Sequence, residues 1–169
     1  ITIIESMLGK VNLNIIQTWR NLDLPKPLYD LVMKVRGYNP SANNHFFTDK
    51  TIINFIHNCF PEYYKTFTGL KYKIQQIDFF RYLAIYYYGG VYLDLDMDIK
   101  KSFDDLDRTK CIFPVEIGGV NTQNMLIGNY AFYAPPRHPF IKHIIDSIVN
   151  PITPECEILL AQENHTDPK

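Results

Sequence analysis

The chain has 169 residues and a formal net charge of −1, with 17 basic against 18 acidic residues, so it offers no strongly basic surface for nucleic acid or an anionic membrane. Hydrophobic residues make up 46% and charged residues 21%, which excludes wholesale disorder and fits one domain with a sizeable core. Aromatic residues reach 14%, from 12 Tyr, 11 Phe and 1 Trp. Leu13 to Gln17 is a short apolar run ending at Thr18-Trp19 and predicts a first strand. Leu28, Leu31, Val32 and Val35 recur at helical spacing before Gly37, and Asn39 to Asn44 reads as a polar turn. His45 to Thr48 predicts a second strand, with Asp49 capping a helix that carries Ile52, Ile53, Phe55, Ile56 and Phe60 and ends at Pro61.

Gln75 to Tyr88 is the clearest helix, with Ile77, Phe80, Ala84, Ile85 and Tyr88 as its apolar stripe and Gly89-Gly90 as its stop. Val91 to Asp96 then alternates with period two, as a strand does. Cys111 to Pro114 and Tyr130 to Ala134 are strand-like, and a helix is expected from Pro139 to Val149. Strands alternating with helices predict an α/β fold with an open, largely parallel sheet. Pro151 to Lys169 is polar and proline-punctuated. Cys59, Cys111 and Cys156 form no CxxC pair, so neither a zinc site nor a disulfide framework is suggested. No apolar run is long enough to span a membrane. The chain starts at Ile1, which leaves room for a leader or anchor before it, and the compartment stays open.

The chemistry concentrates in Asp94-Leu95-Asp96, with Asp98 beyond. On a continuous strand, Tyr92, Asp94, Asp96 and Asp98 share one face, and clustered carboxylates repel unless a cation neutralises them. Hard oxygen ligands suit Mg²⁺, Mn²⁺ or Ca²⁺. An EF-hand fits poorly, because Ile99 takes the glycine position and the approach is a strand. A phosphatase of the haloacid-dehalogenase type, with Asp94 as nucleophile, is a second alternative. Asp78 and Arg81 lie three apart on the preceding helix and therefore share a face. Alone, such a pair reads as a helix salt bridge.

Taken together, the stretch from Asp78 to Asp96, with Arg81-Tyr82 and Tyr88-Gly89-Gly90-Val91-Tyr92-Leu93-Asp94-Leu95-Asp96, closely resembles the DxD-type sugar transferases grouped around the yeast initiating α-1,6-mannosyltransferase. The clostridial toxin glucosyltransferase domains, related to that family, share the D-x-x-R and DxD elements. Asn14 to Trp19 is similar to the family's first strand, although Ile16 stands where the family has His. Asn121 to Asn129, followed by Tyr133 to Pro139, is similar to the family's stretch before a small-Pro-x-His-Pro turn. The family's later Thr-Gly-Pro motif and late His do not occur before Lys169, so the expectation is a single GT-A-like catalytic domain over residues 1–169 that stops short of the family's C-terminal part.

The resemblance implies a GT-A fold and a glycosyltransferase that uses Mn²⁺ or Mg²⁺. It would move a sugar from a UDP- or GDP-sugar to a glycan, lipid or protein acceptor with retention of configuration. Asp96 would be the direct metal ligand. Asp94 would reach the metal through water and bond the ribose or sugar. Asp78 would accept from sugar hydroxyls, Arg81 would hold sugar or phosphate oxygens, and Trp19 would offer its ring to the base. Asn121 and Asn124 are candidates for polar donor contacts. A nucleotide-sugar-binding module without turnover is the alternative from outside the enzymes.

Overall fold

The computed structural model describes residues 12–116 and 126–150, with the side chains of Glu116 and Leu126 left aside. Asn121, Asn124 and Cys156 therefore lie outside the described residues. In chain order the elements are β1 (Asn14–Trp19), α1 (Lys26–Tyr38), β2 (Asn43–Thr48), α2 (Asp49–Cys59), a 3₁₀ turn (Pro61–Tyr63), α3 (Tyr64–Gly69), α4 (Lys73–Tyr88), β3 (Gly90–Leu93), β4 (Val115–Glu116), β5 (Leu126–Ile127), β6 (Ala131–Ala134) and α5 (Pro139–Val149). The main sheet has the order β2-β1-β3-β6, in which β1 runs parallel to β2 and β3 while β6 is antiparallel to β3. The open, mostly parallel α/β sheet expected from the sequence is present.

Both faces of this sheet are covered, which is why its strands read as apolar runs. On one face, Ile16, Tyr92 and Phe132 pack against Ile52 and Phe55 of α2, Phe80 and Leu83 of α4, and Ile141 and Ile145 of α5. On the other, Leu13, Ile15, Val91, Leu93 and Tyr133 meet Val35 of α1, with Met97, Phe103 and Leu106 from the long segment after β3 closing the layer. The aromatic excess is mostly this core. Phe55 stacks on Tyr88 at 5.7 Å between centroids and meets Phe80 edge-on at 5.8 Å, and Phe47 lies 4.9 Å from Phe80.

Four local expectations change. The cap of α2 is Thr48 rather than Asp49. The Thr48 hydroxyl accepts from the Thr51 N–H at 3.3 Å, and Thr51 Oγ1 accepts from the Thr48 N–H at 2.7 Å. Helix α3 is an additional element; its only buried residue is Phe67, so no apolar period announces it. Cys111 to Pro114 contributes a single bridge, Ile112 to Tyr133, rather than a strand. β3 stops at Leu93, so Asp94 and Asp96 leave from a turn and not from a continued strand.

The helix-to-strand corner depends on two glycines. Gly89 (φ 63°) ends α4, and Gly90 (φ 106°) opens β3 where it crowds β1. A Cβ on Gly90 would lie 2.2 Å from the Asn14 carbonyl oxygen, whereas one on Gly37 in α1 would meet nothing within 4 Å. Gly90→Ala is therefore expected to lose at least ~2 kcal/mol of stability in urea denaturation. Gly37→Ala should be neutral or gain up to ~1 kcal/mol. Equal, small effects at the two positions would show that the corner is not constrained in this way.

Candidate functional site

The parallel strands β1 and β3 end side by side. With Ile15 opposite Val91 and Ile16 opposite Tyr92, the chain beyond each strand arrives at the same edge. That edge, outside the carboxyl ends of parallel strands, is where open α/β sheets place ligands. Here it forms a cleft of about 480 Å³. β1 and its exit contribute Thr18, Trp19 and Arg20, and the turn after β3 contributes Asp94, Leu95 and Asp96. α4 contributes Lys73, Ile74, Ile77 and Arg81, while Leu28 and Asp49 complete the wall.

The turn separates the three acids. The Asp94 N–H donates to the Tyr130 carbonyl at 2.8 Å, which pins its backbone beside β6. The Met97 N–H donates back to the Asp94 carbonyl at 3.3 Å, so Leu95 and Asp96 form the tip. Asp98 leaves the group and pairs with Lys34 and Lys100. Those two ammonium groups, Lys100 first, hold its carboxyl below the usual range. The expected face of aligned carboxylates is thus reduced to Asp94 and Asp96.

Asp94 is half-buried and Asp96 exposed. Asp94 Oδ1 accepts from the Tyr92 hydroxyl at 2.8 Å and lies 3.8 Å from Arg81 Nη2. Burial pushes the Asp94 carboxyl above the usual carboxylate range. Arg81 and the Tyr92 hydrogen bond oppose the shift, and the Asp96 charge adds to it. Burial likewise raises the Tyr92 phenol, so it remains a protonated donor.

Arg81 stands behind the acids at 3% exposure. Its Nη1 donates to both the backbone carbonyl and Oδ1 of Asn129 at 2.8 Å, and its Nη2 pairs with Asp78 Oδ1 at 2.8 Å. The guanidinium carbon lies 4.7 Å from the Tyr92 ring centroid. Trp19 forms the opposite side, with the Arg20 guanidinium 5.0 Å from its ring centroid. Trp19 Nε1 and Arg81 Nε are buried and have no hydrogen-bond partner among the described residues. An orphaned buried donor costs about 1–3 kcal/mol.

The structure therefore brings Trp19, Arg81, Asp94 and Asp96 to one cleft, and Asp78 joins them through its ion pair with Arg81 without itself lining the cleft. Sequence reasoning missed the parts played by Tyr92 and Asn129. Tyr92 was legible as a same-face neighbour of Asp94, whereas Asn129, in the turn before β6, closes a family-like stretch in which only Asn121 and Asn124 were expected to act. It also missed the Lys73–Asp49 ion pair at 3.2 Å, which bridges α4 to α2 beside the cleft. No group of three or more His, Cys, Asp and Glu side chains arranged for a metal ion occurs among the described residues. The pair Asp94 and Asp96 instead fits a hard cation that takes one or two carboxylates and completes its shell with phosphate oxygens and water. No helix among the described residues is long and apolar enough to cross a membrane.

Comparison with known proteins agrees with this arrangement. Over 136 residues the chain is 32% identical to inositol phosphoceramide mannosyltransferase 1 of Schizosaccharomyces pombe, covering 78% of this chain and 41% of that protein. It is 30% identical over 132 residues to mannosyl phosphorylinositol ceramide synthase SUR1 of Saccharomyces cerevisiae, covering 78% and 33%. The chain thus spans less than half the length of these relatives. The solved structure of PaToxG glycosyltransferase superposes with a TM-score of 0.61 at 17% identity, covering 92% of this chain and 63% of that one, a likeness of fold that makes the architecture GT-A-like. Residues 25–113, more than half of the chain and including Asp78, Arg81, Asp94 and Asp96, match the family described as glycosyltransferase sugar-binding region containing DXD motif, and the chain belongs to that family.

Proposed function

We propose that this chain is the donor-binding part of a metal-dependent glycosyltransferase that moves a sugar from a nucleotide-diphosphate sugar to an acceptor hydroxyl with retention of configuration. The observation that carries this reading is the placing of Asp94 and Asp96 in the turn after β3, in a cleft that the buried Arg81 also lines. Mn²⁺ or Mg²⁺ would be held by Asp96, with Asp94 beside it. Bound there, the cation supplies positive charge to a departing diphosphate.

The chain's own residues do the positioning. Tyr92 holds one oxygen of Asp94 and so orients its carboxylate. Asp78, with its side chain partly exposed, presents a carboxylate to sugar hydroxyls while neutralising Arg81. Trp19 offers an aromatic wall for the base. Two relatives bear names for mannosyl transfer to inositol phosphoceramide, so a mannosyl donor and an inositol phosphoceramide acceptor are the first substrates to try. Family membership weighs against a phosphatase nucleophile at Asp94, and an aspartyl-phosphate trapped there would reverse that judgement.

Two predictions follow from the different settings of the acids. Asp96 is exposed, with no hydrogen bond or ion pair among the described residues, so Asp96→Ala should change stability by less than ~0.5 kcal/mol. It should lose Mn²⁺-dependent hydrolysis of UDP- or GDP-sugars by on the order of 100-fold or more. A panel in which wild type is stabilised by donor but never hydrolyses it would identify a binding module, and no stabilisation at millimolar donor would sink both readings.

Tyr92→Phe keeps the ring under Arg81 and removes only the hydroxyl. It should cost about 1 kcal/mol of stability and raise the Mn²⁺ concentration needed for half-maximal donor hydrolysis. An unchanged Mn²⁺ titration would show that the hydroxyl does not orient Asp94.

A further inference from the structure

Arg81 stands between two carboxylates and treats them unequally. Its Nη2 is 2.8 Å from Asp78 Oδ1 but 3.8 Å from Asp94 Oδ1. A guanidinium shielded from water binds carboxylates best through paired, short hydrogen bonds. The Asp78 carboxylate holds Nη2, and Nη1 on the other arm needs a hold of its own.

The turn before β6 supplies the missing constraint. Arg81 Nη1 donates to two oxygens of one neutral residue, the backbone carbonyl and Oδ1 of Asn129, both at 2.8 Å. Asn129 Nδ2 donates to Asp78 Oδ1 at 3.4 Å. The next residue, Tyr130, accepts the Asp94 N–H through its carbonyl. One two-residue segment therefore fixes both the guanidinium and the backbone of Asp94. The turn itself is tightly packed: the Gly128 N–H donates to the Pro114 carbonyl at 2.9 Å, and a Cβ on Gly128 would lie 2.5 Å from the Tyr130 ring.

We infer that Asn129 is a positioning residue: its two oxygens hold Arg81 at ion-pair distance from Asp94, so that the Asp94 carboxylate stays open to the cleft. This rests on the donor-binding reading above. Asn129 acts through Arg81 and Asp78 and touches no reacting atom.

The test compares Asn129→Ala with Asn129→Asp, which restores an oxygen of the same reach for Arg81. In the chain without ligand, hydrogen exchange at the Asp94 amide should speed up in Asn129→Ala and stay near wild type in Asn129→Asp. Binding of UDP or GDP with MnCl₂, followed by calorimetry, should weaken at least about 10-fold in Asn129→Ala and return to within about 3-fold in Asn129→Asp. Thermal melting is recorded for both variants. Binding within 3-fold of wild type in Asn129→Ala would overturn the inference. So would an Asn129→Asp variant as weak as Asn129→Ala, or binding losses that merely follow the melting temperature in both. If wild type binds neither nucleotide with Mn²⁺, the donor-binding reading fails, and the exchange at Asp94 alone then decides whether Asn129 holds the lock.

Discussion

A buried guanidinium is the constraint around which this molecule is organised. Arg81 is removed from water on α4, and a charge in that position is tolerated only when it is compensated and its Nη donors are met, Nε alone lacking a partner among the described residues. Its partners come from three places in the chain: Asp78 one turn earlier on the same helix, Asp94 and Tyr92 at the end of β3, and Asn129 before β6. These groups meet only when β6 lies antiparallel to β3 and α4 packs on the sheet, so satisfying the charge and forming the fold are one event. The side chains of Asp78 and Asp94 remain about a third exposed while that of Arg81 is 4% exposed. The cation is shut off from water and both acids stay partly open to it. On the reading proposed above, a cleft of this kind lines itself with carboxylates and leaves the chain near neutral, since a bound cation would supply positive charge at the surface.

The path from helix to acids was legible in the sequence because each step has a local signal. α4 shows an apolar stripe, Gly89 and Gly90 mark its end by conformations that a side chain would obstruct, and the Asp78–Arg81 spacing puts both on one face. The sheet was legible because parallel strands covered on both faces leave apolar runs. The failures have equally physical causes. Period-two alternation from Val91 to Asp96 looked like one strand, but alternation records only which side chains are apolar. Leu95 is buried from within a turn, which continues the pattern after the strand has ended. α3 buries a single phenylalanine, so tertiary contact rather than pattern makes it a helix.

Asn129 illustrates a deeper limit. Its role lies in a backbone carbonyl and a short amide brought to α4 from a turn 48 residues away, and neither group leaves a periodic or compositional trace. Tyr92 is intermediate. Its place next to the acids could be read off the strand, whereas its hydroxyl's bond to Asp94 depends on how the chain turns after Leu93. Residues that carry charge in a motif announce themselves, and the neutral groups that aim them do not.

The string Asp94-x-Asp96-x-Asp98 finally divides between two tasks. If all three acids stayed on one strand face, their mutual repulsion would have to be relieved by ligand alone. The turn after Leu93 removes one of them. Asp98 is drawn to Lys34 on α1, and the segment behind it then runs across the second face of the sheet, where Met97, Ile99, Phe103 and Leu106 cover Val91 and Leu93. Such an exposed pair adds little energy by itself, so its consequence is direction rather than stability. Asn39 continues the same anchoring, because its Oδ1 accepts the Phe103 N–H at 2.8 Å while its Nδ2 donates to the Val35 carbonyl at 2.9 Å. The third acid thus begins the segment that closes the core, and the first two are left as a pair at the cleft.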